Sequence, residues 1–306
     1  MVIEVVGISK RFGKVKALDS VSFKVDESEV VGYVGLNGAG KTTTIRIIAG
    51  VLVPDSGDVY IDGFSITRRK KEASKLVGWV PELPIFESEF RALDYFVYLA
   101  GYYGIPSSEA KRIGRELLER FGLGDALYKK LSEYSLGMKK RFALAVSMIS
   151  EPPNLLFDEV LNGLDPSGIA FFRELVREFK REGRSVLFSS HILSEVEGIA
   201  DRVVFIHRGR IIGSYTMEEI KSMAKPAIIL SVNPVNDSVL KLLGRYGEPV
   251  IGEKNRVILR NPGIEAEDLI AELVKIGVRV GEVKREERSL ENFFFELIKK
   301  AEAGIK

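Results

Sequence analysis

The chain has 306 residues, 45% hydrophobic and 29% charged, which is typical of one large or two smaller globular domains. Its 45 basic and 43 acidic residues nearly cancel, so bulk charge does not indicate a nucleic-acid partner. The absence of cysteine excludes disulfides and thiolate metal sites, and without a long apolar run or a signal peptide we expect a cytosolic protein.

Residues 1–34 predict short strands joined by turns. Phe12 stands just before the turn at Gly13. Its ring could stack on a flat ligand such as adenine, whereas a lone Phe is more often part of core or turn packing. Both interpretations of Phe12 stay open on the residues alone.

A glycine-rich loop follows the apolar residues 30–34 and precedes a helical pattern. The loop consists of Gly35, Leu36, Asn37, Gly38, Ala39, Gly40, Lys41, Thr42 and Thr43. Strand, glycine-rich loop, Lys-Thr and helix is the order of a P-loop, whose glycines let main-chain N–H groups curl around a phosphate chain. Lys41 supplies a charge for the β- and γ-phosphates, and the Thr42 hydroxyl is placed to ligate Mg²⁺.

The stretch 83–105 is rich in aromatic residues. These rings could belong to the core or form a surface that grips a partner helix, and we weigh the two interpretations about evenly. A capped amphipathic helix is predicted over 107–121. The apolar residues 142–149, which follow three basic residues, predict a buried helix.

An apolar strand over 154–157 ends in two carboxylates, Asp158 and Glu159. The carboxyl edge of a parallel sheet is where such folds bind ligands. Asp158 is therefore the expected partner of Mg²⁺, and Glu159 can act as the general base toward an attacking water. The next buried strand ends at His191, which is placed to meet a phosphate or that water. We interpret the other histidine, His207, as structural.

Near residues 221–226 the sequence changes character, and Pro226 indicates a linker. Residues 227–306 alternate short strands with helical patterns, which predicts a small α+β domain. For its last helix, packing on its own sheet is the commoner interpretation and a docking or dimerisation face is the alternative. The apolar face of that helix consists of Phe293, Phe294, Leu297 and Ile298.

Several separated motifs together resemble the nucleotide-binding domain of ABC transporters. They are the loop 35–43, Glu82, the segment Tyr134-Ser135-Leu136-Gly137-Met138, the strand 155–159, the segment 162–165 and His191. The Tyr-Ser-Leu-Gly-Met segment resembles the ABC signature, which ordinary P-loop ATPases lack. The likeness covers about residues 1–220, and the tail around 289–294 looks like that of the ABC-2 or drug-resistance exporter branch.

The resemblance implies an α/β fold, a P-loop NTPase of the ABC type. It implies a RecA-like core, an antiparallel β subdomain and a helical subdomain at about residues 83–150, all within an ATPase domain over 1–220. A linker over 221–226 and a C-terminal accessory α+β domain over 227–306 would follow.

The same resemblance implies roles for individual residues. Phe12 would stack on adenine, and Glu82, which stands where most of the family has glutamine, would reach the metal shell. Ser135 and Gly137 would contact the γ-phosphate in the site of a second protomer. The remaining roles are phosphate and Mg²⁺ binding by Gly38, Gly40, Lys41, Thr42 and Thr43, the Walker B and base positions by Asp158 and Glu159, the D-loop by Asp165 and the switch by His191.

A protein of this kind is expected to bind ATP and Mg²⁺ and to pair head to tail with a second ATPase protomer as a homodimer. The resemblance implies integral membrane permease subunits as partners, a cytoplasmic location on the inner face of the cell membrane, and no nucleic acid. An ABC importer ATPase is the nearer alternative to an exporter. A non-transport ABC ATPase acting on ribosomes or DNA is the other, although such proteins usually carry two cassettes or a coiled-coil insertion.

Overall fold

The apolar run before the glycine-rich loop becomes a central strand of a six-stranded sheet. The computed structural model describes residues 2–223, 227–252, 256–286 and 290–303. The chain divides into two units, Met1–Thr216 and Met217–Lys306. Each unit has an apolar core of its own.

The strands of the first unit are β1 (Ile3–Phe12), β2 (Val15–Val25), β3 (Val30–Val34), β4 (Ser56–Ile61), β5 (Phe64–Ser65), β6 (Val77–Val80), β7 (Asn154–Phe157), β8 (Ser185–Ser190), β9 (Arg202–His207) and β10 (Arg210–Thr216). The central sheet has the order β10-β9-β3-β8-β7-β6 and is parallel except for its edge pair β10-β9. β3, β7 and β8 are buried along their whole length, as expected at the centre of a parallel sheet. Their carboxyl ends meet at one edge, where such sheets bind ligands.

A second, antiparallel sheet of the first unit has the order β2-β1-β4-β5. Its inward side chains share one core with the central sheet. Phe23 of β2 stacks on Tyr33 of β3 with 5.1 Å between the ring centroids. The β1-β2 hairpin ends in the pair Phe12 and Val15.

The helices of the first unit are α1 (Lys41–Ile48), α2 (Lys70–Ser74), α3 (Ala92–Gly101), α4 (Ser107–Arg120), α5 (Leu136–Ser147), α6 (Pro166–Arg181) and α7 (Leu193–Glu197). α4 closely matches the helix predicted over 107–121. α5 begins at Leu136, ahead of the apolar stretch, because the Ser135 hydroxyl caps it by accepting a hydrogen bond from the Met138 N–H at 3.2 Å. α3, α4 and α5 lie between β6 and β7 in the chain.

Some rings of the aromatic stretch 83–105 belong to the core, and others are exposed on the surface. Phe86 and Tyr95 join an internal cluster, in which Phe86 meets the ring of Phe142 on α5 edge-on at 4.9 Å. Tyr98 and Tyr102 are exposed and share a hydrogen bond of 2.7 Å between their hydroxyls. Only part of the stretch is therefore core.

The elements of the second unit are α8 (Met217–Met223), β11 (Ala227–Asn233), α9 (Asp237–Leu243), β12 (Glu248–Ile251), β13 (Arg256–Arg260), α10 (Ala266–Lys275), β14 (Arg279–Glu286) and α11 (Leu290–Ala303). From β11 to β14 this is a βαββαβ succession, and its antiparallel sheet has the order β12-β13-β11-β14. That order is the split βαβ, or ferredoxin-like, arrangement. Strand β12 was not predicted, because it is short and contains a proline.

Residues 221–223 of the segment predicted as a linker are helical, because α8 continues to Met223. The helix α8 is amphipathic, and burial of Met217 and Ile220 on its apolar face stabilises it. Pro226 and Ser289, which the sequence interpretation used, lie outside the described residues. On α11 the predicted apolar face is buried, which favours the packing interpretation over a docking face. No helix in the described ranges is long and apolar enough to cross a membrane.

Candidate functional site

The glycine-rich loop joins β3 to α1 at the carboxyl edge of the central sheet. Gly40 has a φ of 112°, a left-handed conformation that favours glycine. At Gly35 the constraint is space, since a Cβ atom would lie 2.4 Å from the Ile206 carbonyl oxygen. The loop thus passes close to β9 and then turns its N–H groups toward the start of α1.

Lys41, the first residue of α1, is only 5% exposed. Its Nζ donates hydrogen bonds to the carbonyl oxygens of Gly35 at 2.6 Å and Leu36 at 3.2 Å. The same ammonium lies 3.0 Å from Oε1 of Glu159. The charged end of Lys41 is therefore fixed beneath the loop and beside the second of the predicted carboxylates.

Asp158 and Glu159 follow the buried strand β7 and differ in their surroundings. Oδ1 of Asp158 accepts hydrogen bonds from the hydroxyls of Thr42 at 3.1 Å and Ser189 at 2.8 Å. Burial raises the pKa of Asp158, and these two hydrogen bonds oppose the rise. The Ser189 hydroxyl also accepts a hydrogen bond from the Glu159 N–H at 2.8 Å, so one serine holds both acidic residues.

Glu159 stands in a left-handed conformation with a φ of 47°. A residue without a glycine's freedom adopts this conformation at a cost, and such strained positions cluster at functional sites. The turn points one carboxylate oxygen, Oε1, at Lys41 and the other, Oε2, at Nδ1 of His191, 2.9 Å away. His191 is 41% exposed, so this line of groups runs from the buried floor to the surface.

A cavity of about 360 Å³ opens above these residues. It is lined by Ala17, Asn37, Gly38, Gly40, Lys41, Thr42, Thr43, Glu82, Glu159, Asn162 and His191. Most of the predicted site residues thus meet around one space. Gly35 and Ala39 belong to the loop itself but are buried. Asp158 is also buried and is hydrogen-bonded to Thr42, which does line the cavity.

Three further predicted residues, Phe12, Ser135 and Gly137, do not line this cavity either. Phe12 is 51% exposed at the tip of the β1-β2 hairpin, so it is not a core residue, and Nζ of Lys10 lies 5.9 Å from its ring centroid. Ser135 and Gly137 are at the N-terminus of α5. The role predicted for these two was in the site of a second protomer, not in that of their own chain.

Sequence reasoning assigned no role to Ala17, Asn162 or Ser189, which take part in the site. A signal for Ser189 was available, because a polar residue at the carboxyl end of a buried strand lies at the ligand edge of the sheet. Asn162 belongs to the segment 162–165, which was among the family motifs, but no role was predicted for it. No comparable signal marks Ala17, since an alanine in a hairpin strand has no chemistry of its own.

The donor set fits a divalent cation of the Mg²⁺ type. The described residues contain no cluster of three or more metal-ligating side chains. Mg²⁺ typically uses one or two carboxylates and completes its shell with water and substrate phosphates. Thr42 and Asp158, which touch each other at the edge of the phosphate loop, supply such a partial set.

Proteins whose family is known are similar to this chain over nearly its whole length. It is 33% identical over 300 residues to the uncharacterized ABC transporter ATP-binding protein YhcH of Bacillus subtilis, covering 97% of this chain and 95% of that protein. It is 31% identical to the bacitracin transport ATP-binding protein BcrA of Bacillus licheniformis, covering 97% of each. The family profile described as ABC transporter matches residues 18–162.

A solved structure is similar to most of the chain. It is described as the ATP binding subunit of an ABC transporter and shares 28% sequence identity with this chain. The likeness covers 90% of this chain and 100% of that one, with a TM-score of 0.65.

Proposed function

Because this chain belongs to the ATP-binding proteins of ABC transporters, we propose that it works as a homodimer that drives export through separate membrane subunits. The predicted family and fold class, a P-loop NTPase of the ABC type, are confirmed by its relatives and by the solved structure similar to it. The chain is an ATP-binding subunit and an ATPase.

The single observation that supports the hydrolytic role is the line from Lys41 through Glu159 to His191 at the floor of the cavity. When the γ-phosphate lies on the loop, it competes with Glu159 for the Lys41 ammonium. The freed carboxylate then accepts a proton from a water whose oxygen bonds to the γ-phosphorus. The bond from that phosphorus to the bridging oxygen breaks, and ADP and phosphate leave.

His191 and Mg²⁺ complete the proposed chemistry. Nδ1 of His191 forms a hydrogen bond with Oε2 of Glu159, so the histidine orients the base from a position that also lines the cavity. Thr42 and Asp158 would hold Mg²⁺, which supplies positive charge against the β- and γ-phosphate oxygens. Glu82 lines the same cavity and adds a second carboxylate near that position.

The case for a dimer rests on Ser135 and Gly137. They stand at a helix N-terminus, which is a kind of site that binds phosphate, but they do not line the cavity of their own chain. In a head-to-tail pair the α5 terminus of each chain would cover the loop of the other. ATP would then hold the pair together, and hydrolysis would release it.

Export is proposed from the relatives and from the exposed aromatic surface. BcrA is by its name a bacitracin transport protein, and Tyr98, Tyr102 and Tyr103 expose rings that suit a partner helix. We propose that a membrane permease docks there, on the inner face of the membrane. Recovery of the chain from native membranes with an integral membrane protein would support this, and recovery with ribosomes alone would contradict it.

The Glu159→Gln variant tests the catalytic assignment. We expect kcat to fall by about 100-fold or more, because the amide cannot accept the proton, while ATP binding persists. The variant should also form an ATP-dependent dimer, measured by size-exclusion chromatography with light scattering.

The matched control is Glu151→Gln, since Glu151 is exposed and has the same φ of 47°. Its kcat should equal that of the wild-type chain. The assignment is wrong when Glu159→Gln neither slows turnover nor dimerises with ATP.

A further inference from the structure

Lys140 stands among basic residues in the sequence, yet its side chain is buried. It lies on α5 and is 2% exposed. Its Nζ donates a hydrogen bond of 2.8 Å to the carbonyl oxygen of Val160 and another to that of Asn162. Both acceptors lie in the short loop that follows Glu159, between β7 and α6.

We propose that Lys140 is a positioning residue for ATP hydrolysis, which holds the loop carrying Glu159 and Asn162 in place from the signature helix α5. The inference rests on the proposed function, because it gives a role to a residue that touches neither nucleotide nor metal. The direct contacts of Lys140 with the loop are its two hydrogen bonds to main-chain carbonyl oxygens.

The burial of this ammonium is costly and therefore needs compensation. Burial lowers the pKa of Lys140, and the negative charges of Glu82 and Glu159 oppose that shift. Two carbonyl acceptors and two nearby carboxylates thus stabilise the ammonium group of Lys140. An apolar side chain of equal length would be buried at a lower cost in desolvation. An ordinary solvated lysine at the surface has no such set of partners.

The loop held by Lys140 has no regular secondary structure, so contacts from other elements help to fix its conformation. Glu159 and Gly163 both have a positive φ, and the Asn162 N–H donates back to the Glu159 carbonyl oxygen at 3.1 Å. Asn162 lines the cavity, and its side-chain Oδ1 is buried without a hydrogen-bond partner in the described chain. The hydrogen bond from Lys140 to the Asn162 carbonyl oxygen therefore helps to fix the main chain of a residue that lines the cavity.

Neighbouring residues of α5 also lie close to Gly163 of the loop and to Phe171 of the following helix α6. A Cβ atom on Gly163 would lie 3.1 Å from the Leu136 side chain, and the Arg141 guanidinium lies 4.5 Å from the centroid of the Phe171 ring. Ser135, which we propose to meet the nucleotide of the second protomer, is five residues before Lys140, about 7.5 Å along the helix. A shift of the α5 terminus on ATP binding would thus reach the loop of Glu159 in the same chain.

Steady-state kinetics of the full-length chain test the proposal with three substitutions at this position. We expect Lys140→Met to lower kcat about 10- to 100-fold, with KM for ATP changed by less than about threefold, because a misplaced base slows chemistry more than binding. Lys140→Gln, which retains one donor group, should be intermediate. Lys140→Arg, which retains charge and several donors, should lie nearest to the wild-type chain.

Lys139→Met is the matched control, because Lys139 is adjacent to Lys140 in the sequence and lines a different cavity, together with Ile85 and Phe86. It should leave kcat and KM unchanged. A thermal melt of each variant shows whether it is folded. Where Lys140→Met does not fold, the comparison of Lys140→Arg with Lys140→Gln decides, and a kcat at least about threefold higher in the arginine variant supports the proposal.

The proposal is overturned by Lys140→Met turning over within about twofold of the wild-type chain, or by an arginine variant as impaired as the other folded variants. A change in KM equal to that in kcat would also overturn it, because it would indicate lost binding. A wild-type chain without ATP turnover would instead contradict the proposed function. The two failures are therefore distinguishable.

Discussion

Glu159 combines two roles in one carboxylate. Its oxygens are shared between the buried Lys41 ammonium and His191, so the charge is paired before any phosphate arrives. Removing one partner of a buried ion pair leaves the other charge uncompensated and destabilises a protein by about 3–5 kcal/mol. A γ-phosphate that takes over Lys41 would therefore weaken this pairing and leave a carboxylate ready to accept a proton.

Ser189→Ala tests whether the serine beneath the site supports catalysis. The alanine leaves Oδ1 of Asp158 without one donor and the Glu159 N–H without its acceptor. We expect the free energy of unfolding to fall by about 1–3 kcal/mol and kcat to fall about tenfold. Urea denaturation and steady-state ATPase measurements check both values.

Ser185→Ala is its control at the other end of β8, where the hydroxyl donates to the Asp26 carbonyl oxygen at 2.9 Å. This substitution should lower stability and leave kcat unchanged. Equal losses of kcat in the two variants would show that Ser189 contributes only to folding.

At the scale of elements, the site is built from strand ends that the chain brings together over long distances. β3, β7 and β8 present Lys41, Asp158 with Glu159, and Ser189 with His191, at a common edge. The antiparallel sheet contributes Ala17 from β2. The orientation of these elements relative to one another therefore decides the geometry of the cavity.

Arg202 links two of those elements and provides a test of that orientation. At the start of β9 its guanidinium donates to both oxygens of Glu29 at 2.7 Å and to the Lys24 carbonyl oxygen of β2 at 2.8 Å. Lysine retains the charge but not the bidentate fork. We expect Arg202→Lys to lower the free energy of unfolding by about 1–3 kcal/mol, measured by denaturant titration.

Arg112→Lys is the control for this substitution. Arg112 forms an exposed ion pair with Glu116 one helical turn away, at 2.8 Å. Such pairs contribute little, so the change should stay below about 0.5 kcal/mol. A loss at Arg112 as large as that at Arg202 would contradict the importance given to the partly buried bidentate pair of Arg202 and Glu29.

At the scale of the whole molecule, the two units have cores that share no residue. The nucleotide cavity lies in the first unit and is lined by residues up to His191. The second unit is a ferredoxin-like fold with no cluster of metal-ligating side chains among its described residues. ATP binding should therefore stabilise the first unit directly.

Leu269→Ala, in the core of the second unit, tests this independence. Leu269 is fully buried, and its truncation should cost that unit about 2–5 kcal/mol. Hydrogen exchange should become faster in the second unit, while KM for ATP stays within about twofold. Val21→Ala, in the core of the first unit, should give the reverse pattern, and faster exchange of both units in both variants would contradict separate cores.

The sequence by itself determined the elements whose signals are local. The glycine-rich loop before Lys41, the carboxylates after β7 and the helix α4 follow from residue type, spacing and capping, which act over a few residues. The family likewise followed from short motifs. The helical conformation of residues 221–223 did not follow from a local signal, because α8 is short and is stabilised by burial of Met217 and Ile220.

Only the tertiary structure decided which distant side chains meet. Ser189 contacts two residues about thirty positions away in the chain, and such a pairing depends on strand order, which no local pattern encodes. Lys140 stood among basic residues and had the pattern of a solvated charge, yet it lies buried against a loop. Burial and partners are properties of packing, and packing is set by the whole fold.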